Sequence, residues 1–371
     1  MNTGNKIQYS WPEGKIEITS AANRRFCVTL APHDPNRFLP RRSCETTFPL
    51  ELIQFLIEKM DGSWLCDSIA RHEDPAYVTA IIRRQLFSYL PVSAYRGKRL
   101  LDFGCGTGAS TFAIAQSLPE TEVVGIELEG ALIEVARRIA DFRGLANAQF
   151  LQSSDAENLP PNVGMFDFVM LCAVYEHLLP NERKNLMPKL WSVLKPGGII
   201  FINQTPHRYF PYEHHSTGLW LINYLPDRIA YFFARKVARR KLLQPSDYWE
   251  DLLRGGIRGG TEKSIIHDLC RGDSKAARIL RPHENGLRDR ADYWLSCTDP
   301  DHYRRTKRLL AALFRLSDRL FGTVPSMNVD VVLRKEYSDS KISVPQASKR
   351  GMFFRPKPEE ATMSQQQGNH P

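Results

Sequence analysis

Short apolar runs alternate with amphipathic helical segments between residues 98 and 203, and this rhythm constrains the fold more than any other feature of the chain. Glycine, proline or polar turn residues bound each apolar run, as is typical of buried strands. The predicted strands are residues 99–103, 123–127, 149–152, 166–171 and 199–203. Strands that alternate with helices through right-handed crossovers build a doubly wound parallel sheet. Such a sheet binds its ligand beyond the carboxyl ends of its strands, where the strand order reverses.

The segments around this core follow other patterns. Residues 1–97 predict an irregular lead-in with at most one hairpin, followed by two helices, and the predicted core covers residues 98–204. Residues 205–326 break the rhythm and predict a long helical insertion that acts as a lid, after which residues 327–337 supply one more core strand. The polar residues 338–371, which contain proline and glutamine, predict a disordered tail.

The composition excludes several classes of protein. With 371 residues, of which 42% are hydrophobic, the chain is neither a fibre, nor wholly disordered, nor a small disulfide scaffold. Its net charge of +9 suits an anionic partner, although solvated lysines and arginines more often account for such a value. Seven cysteines without a C-x-x-C pair indicate neither a disulfide framework nor a zinc cluster.

The same features favour a reducing compartment. The first thirty residues lack the apolar core of a signal peptide, and no run approaches the roughly 18 apolar residues of a membrane span. We therefore expect a cytoplasmic protein that is at most peripheral to the inner face of a membrane.

An acid and three alternating glycines follow the first predicted strand, in the motif LDFGCGTG at residues 101–108. Glycine lets the backbone approach a ligand closely, and the helix that follows presents free N–H groups. The G-x-G-x-x-A spacing from Gly104 also fits the dinucleotide fingerprint, with Glu127 at the expected distance downstream. However, the carboxylate of Asp102 would repel a pyrophosphate and attract the ammonium group of S-adenosylmethionine. The charge therefore favours the sulfonium cofactor.

Two further acids follow the second and third strands. Glu127 can accept hydrogen bonds from both ribose hydroxyls, and Leu128 can pack on the adenine face. Asp155 can accept a hydrogen bond from the adenine amino group. Each acid alone is more often an ordinary strand-end or capping residue. Acids after three successive strands together indicate a nucleoside cofactor.

These motifs resemble those of the class I S-adenosylmethionine-dependent methyltransferases. The matching stretches are LDFGCGTG (101–108), VVGIELEG (123–130), FLQSSDAENLP (150–160), FDFVMLCAVYEHL (166–178) and VLKPGGIIFIN (193–203). The resemblance implies an α/β fold with a mostly parallel, seven-stranded sheet whose last strand is antiparallel. The cofactor-binding residues that it implies are Asp102, Gly104, Cys105, Gly106, Gly108, Glu127, Leu128, Asp155, Ala156 and Cys172. It says little about the substrate.

Within this family the segment looks most similar to a broad group that includes ubiquinone-biosynthesis O-methyltransferases and methyltransferases of small molecules and surface glycans. In the ubiquinone enzymes a Glu-x-x-Glu-His run after the fourth strand supplies metal ligands. Glu176 and His177 match the end of this run, but Ala173 stands at the position of the first acid. Because one ligand is missing, no metal is predicted. Pro188 is a second departure and predicts a kink in the helix before the fifth strand.

Histidines are the candidates for a general base on the acceptor side. Methyl transfer from a sulfonium is an in-line displacement, so the protein must align a nucleophile and strip water from it. A hydroxyl nucleophile also needs a base, and an unperturbed histidine titrates near pH ~6.5. His177 follows the fourth strand, while His214 and His215 follow the fifth and are favoured over His207. The alternative for each is an ordinary surface, loop or helix-end residue.

An aromatic and then basic segment spans residues 219–241. Such a segment can lie on an anionic membrane and hold an enzyme near a lipid-linked acceptor. A lid helix packed on the domain, with a solvated basic end, is the interpretation that we favour. Nucleic acid is disfavoured as a partner, because no recognised binding module surrounds the basic run.

The sequence as a whole predicts a methyltransferase that uses S-adenosylmethionine to methylate a hydroxyl of a small molecule or a glycan. One alternative is a membrane-associated enzyme that acts on a lipid-linked acceptor. Another is a cofactor-binding partner protein without catalysis. The acceptor and the oligomeric state stay open, because their determinants lie in the least patterned part of the chain.

Overall fold

A seven-stranded sheet lies at the centre of the computed structural model, which describes residues 6–35, 37–237, 248–299 and 302–336. In chain order the strands are β1 (Lys6–Trp11), β2 (Gly14–Ser20), β3 (Phe26–Pro32), β4 (Ser43–Thr46), β5 (Arg99–Phe103), β6 (Glu122–Glu127), β7 (Ala148–Gln152), β8 (Phe166–Cys172), β9 (Leu194–Pro206), β10 (Tyr212–Glu213), β11 (Leu219–Trp220), β12 (Ala277–Ile279) and β13 (Asn328–Lys335). The helices are α1 (Leu50–Lys59), α2 (Gly62–Glu73), α3 (Pro75–Phe87), α4 (Ala109–Ser117), α5 (Gly130–Arg143), α6 (Pro180–Val193), α7 (Asp227–Val237), α8 (Trp249–Arg254), α9 (Glu262–Cys270), α10 (Arg290–Ser296) and α11 (Arg304–Phe321).

The strand order of the large sheet is β12-β13-β9-β8-β5-β6-β7. β5 pairs in parallel with both β6 and β8, so the chain runs outward through β6 and β7 on one side and through β8 and β9 on the other. The reversal between β5 and β8 is the switch point at which a doubly wound sheet binds its ligand. β13 is antiparallel to both of its neighbours. The predicted mostly parallel, seven-stranded α/β sheet is therefore confirmed.

Both faces of this sheet are covered by helices, which explains why its central strands are apolar throughout. Leu101 and Val169 belong to the core on one face, which includes buried residues of α6 and α9. Leu100 and Met170, one position along their strands, belong to the core on the other face with residues of α3 and α4. Because neither face meets water, the polar side chains of the central strands concentrate at the strand ends.

The N-terminal residues differ from the prediction of an irregular lead-in. β1 to β4 form a four-stranded antiparallel sheet in sequence order. Its buried side chains, which pack in one cluster with residues of α1 and α2, include Ile16, Ile18, Val28 and Leu30. Polar and apolar residues alternate in β1 and β2, but the alternation in β3 and β4 is irregular, and the helix α2 was not predicted either. Strand preference depends strongly on neighbouring strands and packing, so local patterns in this segment were too weak to reveal the sheet.

The predicted insertion at residues 205–326 also contributes to the sheet. β12 lies within it and pairs with β13 as the edge strand. α6 continues through Pro188, and the predicted basic helix is α7 as far as Val237. The rest of that basic run and the tail at residues 338–371 lie outside the described residues. Within the described ranges, no helix combines the length and the apolar content needed to cross a bilayer.

A buried arginine ties the late helices to the sheet. Arg290 of α10 is 4% exposed and donates to Glu262 of α9 at 2.6 Å and to Asp318 of α11 at 3.1 Å. It also donates to the carbonyl of Asp330 in β13. Removing one partner of a buried ion pair leaves an uncompensated charge inside the protein.

We expect Arg290→Ala to lower the free energy of unfolding by about 3–5 kcal/mol, because Glu262 would stay buried without its cation and Asp318 would keep only the more distant Arg281, at 3.7 Å. Arg288→Ala is the matched control, since Arg288 is largely exposed and pairs with Asp292, which makes a loss below about 1 kcal/mol the expected result. Urea unfolding followed by circular dichroism measures both. Equal losses in the two variants would contradict the structural role of Arg290.

Candidate functional site

A cleft of about 240 Å³ opens at the carboxyl ends of β5, β6, β7 and β8. Its walls are formed by Phe103, Gly104, Glu127, Leu128, Ser153, Asp155, Ala156, Ala173, Val174, His177, Leu178 and Arg254. These strands flank the reversal of the strand order, so the cleft is where the sheet topology places a ligand. A larger cavity of about 400 Å³ lies among charged side chains such as Arg281 and Arg319 and includes none of these strand ends.

The glycine motif forms the turn between β5 and α4. Gly104 lines the cleft with a φ of +74°, and a Cβ there would lie 2.5 Å from a methyl carbon of Val174. Gly108 caps α4 with a φ of +88°, and a Cβ there would lie 2.8 Å from the ring of Phe150. Both positions combine a left-handed backbone with close neighbours, so only glycine fits.

Glu127 and Leu128 form one wall of the cleft. The Glu127 carboxylate accepts hydrogen bonds from the backbone N–H groups of Gly106 at 3.0 Å and Leu128 at 2.7 Å. These bonds fix a carboxylate at the end of β6, where ribose hydroxyls can donate to it. Leu128 is 42% exposed, and its side chain offers an apolar surface to a flat base. This wall has the acceptor and the apolar face that a nucleoside requires.

Asp155 and Ala156 lie on the wall that follows β7. The Asp155 carboxylate accepts hydrogen bonds from the side chain of Asn158 at 2.8 and 2.9 Å and from the N–H of Glu157 at 2.8 Å. The Asn158 bonds, with the others, hold the pKa of Asp155 below its usual range. The carboxylate is therefore ionised and oriented, as an acceptor for an adenine amino group must be.

Asp102 is buried behind the glycine turn and does not line the cleft. Ser110 and Thr111 donate to the same carboxylate oxygen at 2.6 and 2.7 Å. Burial raises the pKa of Asp102 to about 6, although these two hydrogen bonds oppose the shift. A carboxylate that is already desolvated gains more from a nearby cation than an exposed one would.

The predicted cofactor residues divide into two groups. Gly104, Glu127, Leu128, Asp155 and Ala156 line the cleft. The others support the turn or lie beside it. Cys105 is buried, with its thiol next to Gly125. The thiol of Cys172 bonds with Gln85 and Gln204.

Several cleft residues were not predicted. Phe103, Ser153, Ala173 and Val174 follow directly from the rule that strand ends line the site, and naming every residue at those ends would have found them. Arg254 carries no such signal. It belongs to α8, far along the chain, and its guanidinium pairs with Glu182.

Two of the predicted histidines meet beside the cleft. His177 lines it, and the ring centroid of His215 lies 5.2 Å from that of His177. Glu176 completes this group, because its carboxylate oxygen Oε1 lies 4.0 Å from Nε2 of His177. Burial raises the pKa of Glu176 to about 7, and burial lowers the pKa of His177. We call Glu176, His177 and His215 the acceptor-side cluster.

The other two histidines considered in the sequence, His214 and His207, lie outside this cluster. The ring centroid of His214 is 6.4 Å from that of His215 and nearly perpendicular to it. His207 is buried just after β9, and its ring nitrogen Nδ1 accepts a hydrogen bond from the N–H of Tyr209. Of the two histidines that the sequence favoured over His207, His215 therefore lies beside His177 and His214 does not.

Comparisons with known proteins point to the same class. A family model described as a methyltransferase domain matches residues 100–198. A demethylmenaquinone methyltransferase of Lactococcus lactis is 29% identical over 40% of this chain and 58% of that protein. A demethylmenaquinone methyltransferase of Thermus thermophilus is 34% identical over 29% of this chain and 48% of that protein. A ubiquinone biosynthesis O-methyltransferase of Acinetobacter baylyi is 30% identical over 30% of this chain and 47% of that protein.

The overall likeness to whole proteins is limited. The chain spans about half the length of the curated relatives that it matches. The structure of PKMT2 from Rickettsia typhi in complex with AdoHcy is 15% identical, with a TM-score of 0.41, over 70% of this chain and 52% of that protein. The assignment therefore rests on the matched domain and on the site.

The strand order and the strand-end cleft define an α/β domain for a nucleoside cofactor. The family match over residues 100–198 specifies it further, so this chain contains a class I methyltransferase domain whose cofactor is S-adenosylmethionine.

We expect Asp102→Asn to raise the free energy of unfolding by about 1–3 kcal/mol at pH 8, because a shift of roughly two pKa units corresponds to about 3 kcal/mol. A raised carboxyl pKa destabilises the folded state above pH 4 and most strongly above pH 6, so the gain should largely vanish at pH 4. Urea unfolding at the two pH values measures it. An equal change at both pH values would contradict a desolvated carboxylate.

The same substitution should weaken the binding of S-adenosylmethionine, because it removes the negative charge near the ammonium group. Titration calorimetry at pH 8 measures this affinity. A higher free energy of unfolding together with a weaker cofactor affinity would show that Asp102 serves binding and not stability. Unchanged affinity would remove Asp102 from the cofactor site.

Proposed function

We propose that the protein transfers a methyl group from S-adenosylmethionine to a hydroxyl of a small molecule or a glycan. The observation that carries this proposal is that His177 belongs both to the wall of the cofactor cleft and to the acceptor-side cluster. Groups that can remove a hydroxyl proton thus lie beside the cleft proposed to hold the cofactor. The relatives named for quinone biosynthesis support a small-molecule acceptor.

Each part of the cleft has a proposed task. Glu127 holds the ribose, Leu128 covers the adenine, and Asp155 binds the adenine amino group. Asp102 balances the positive charge of the methionine part. The bound cofactor supplies an electrophilic methyl group on sulfur.

The acceptor-side cluster is proposed to prepare the nucleophile. Its two imidazoles and one carboxylate are groups that accept or polarise a proton. We assign this task to His177 and His215 together with Glu176, and not to His214, whose ring lies outside the cluster. The glycine-rich loop packs against the cluster, since a Cβ on Gly256 would lie 2.6 Å from the ring of His215.

We expect His177→Ala to lower the turnover number by about 100-fold or more, the usual contribution of a positioned proton-transfer group, and to change cofactor affinity much less. Transfer of labelled methyl groups into the small-molecule fraction of a cell extract measures the turnover, and calorimetry measures the affinity. His33→Ala is the control, because His33 is exposed in the N-terminal region. If the wild-type chain binds the cofactor but labels nothing, a non-catalytic partner protein becomes the better description.

A second candidate is a membrane-associated methyltransferase that acts on a lipid-linked acceptor. α7 supports it, because Ile229, Phe232 and Phe233 are exposed on this helix beside Lys236. α11 has a similar stripe of exposed leucines, which consists of Leu309, Leu313, Leu316 and Leu320. Helices with apolar and basic residues exposed together are typical of binding at an anionic interface.

We expect the double variant Arg235→Glu, Lys236→Glu to lower binding to phosphatidylglycerol vesicles by about tenfold or more, since each basic residue near the surface contributes about 1 kcal/mol. Co-sedimentation measures the bound fraction, and phosphatidylcholine vesicles show whether charge is required. Arg96→Glu, far along the chain from α7, is the control variant. Weak binding that is the same for all three proteins would refute the membrane candidate.

The cysteines support a reducing, cytoplasmic compartment as part of this proposal. All seven are unpaired, and Cys297 is exposed. Exposed free thiols form disulfides or other oxidised products readily in an oxidising compartment.

A further inference from the structure

The three members of the acceptor-side cluster bring their potential ligand atoms close together. One carboxylate oxygen of Glu176 and one ring nitrogen each of His177 and His215 lie within 4.8 Å of one another. Glu176 and His177 follow β8, whereas His215 arrives from the turn between β10 and β11. Because these residues are far apart in the chain, local sequence motifs do not predict the cluster.

Glu176 supplies a buried oxygen without a partner. Its side chain is 0% exposed, and Thr205 donates to Oε2 at 3.2 Å. Oε1 has no hydrogen-bond partner within the described part of the chain. A buried carboxylate oxygen without a partner is costly, so this position calls for a proton donor or a cation.

His177 is oriented so that its other nitrogen faces Glu176. Nδ1 lies 2.5 Å from the carbonyl oxygen of Arg254, and a carbonyl only accepts, so Nδ1 carries the proton. Nε2 therefore has a lone pair, and it lies 4.0 Å from Oε1 of Glu176. This separation is too long for a hydrogen bond but suits two ligands of one ion. A carbonyl on the far nitrogen is also the usual support of a metal-binding imidazole.

His215 is held in place from two sides. The buried carboxylate of Glu213 accepts hydrogen bonds from the N–H groups of His215, Ser216 and Thr217 and from the Thr217 hydroxyl, and so fixes the turn. On the other side, Gly256 leaves no room for a Cβ between its backbone and the imidazole ring. The ring position is thus built by the fold.

We propose that Glu176, His177 and His215 bind a divalent first-row transition metal ion beside the cofactor cleft. Imidazole and carboxylate ligands suit such ions, and three protein ligands leave further coordination positions open for a substrate oxygen. His215 occupies the role for which the sequence offered no residue, because Ala173 replaced the expected acid. The nearby cations do not fill the place of the ion: Arg254 pairs with Glu182, and Arg183 donates to the backbone carbonyls of Leu178, Gly259 and Glu176, not to the Glu176 carboxylate.

The ion deepens the proposed function, on which its catalytic role rests: with the ion bound, the acceptor-side cluster activates the acceptor hydroxyl through the metal and does not take its proton directly. An acceptor hydroxyl that coordinates the ion loses its proton to solvent at a lower pH than a free hydroxyl. The oxygen lone pair then forms the new oxygen–carbon bond as the carbon–sulfur bond breaks, and the electron pair of that bond stays on sulfur. The products are a methyl ether, S-adenosylhomocysteine and one proton, so charge and atoms balance.

The test is titration of the chelator-treated full chain with ZnCl2 and, separately, with MnCl2, followed by calorimetry. We expect one ion per chain for at least one of the two metals. His215→Ala should weaken that binding by about 100-fold or more, because loss of even an outer partner of a ligand costs roughly 10- to 100-fold. His214→Ala is the matched control and should retain wild-type affinity, since it changes the adjacent histidine and no ligand.

Affinity for S-adenosylmethionine is measured on the same samples. It shows that each variant is folded, and His177→Asn is the second ligand variant should His215→Ala fail to fold. Absence of ion binding, or equal binding by the His214 and His215 variants, would overturn the metal site and leave the methyltransferase proposal standing. Ion binding without any methyl transfer would contradict the methyltransferase proposal and leave the metal site standing.

Discussion

The reversal of strand order between β5 and β8 is the constraint on which the rest of the site depends. Parallel strands on both sides of this point end at the same edge of the sheet, and the helices that cover both faces keep polar residues out of the strand interiors. Polar side chains can appear only where the strands end. Residues that are far apart in the chain, such as Glu127 and His177, therefore line one cleft.

The insertion adds a residue to this edge of the sheet, because Arg254 lines the cleft. A nucleoside cleft needs only the core strands, but the acceptor side also needs a wall, and residues after β9 provide it. Arg254 lines the cleft and orients His177 through its carbonyl, while the turn after β10 delivers His215. Arg290 anchors the later helices of this region to the sheet. Stability and site geometry thus depend on the same segment.

Two buried acids show how the fold favours cations near the cleft. Asp102 and Glu176 are both desolvated, and burial raises the pKa of each. Asp102 lies behind the glycine turn, and Glu176 lies beside His177. A buried carboxylate reduces stability unless a positive charge compensates it. A cation bound beside either carboxylate would remove this unfavourable term.

The sequence by itself determined the core strands, the glycine turn and the cofactor, because these depend on local periodicity and on residues close in the chain. It missed the N-terminal sheet, in which β3 and β4 alternate irregularly, and the edge strand β12 within the insertion. It led to no metal being predicted, since Ala173 carries no donor at the position of the first acid of the ubiquinone enzymes. Only the tertiary structure brought His215 against Glu176 and His177, because long-range packing, and not spacing along the chain, decides which loop reaches the end of a strand.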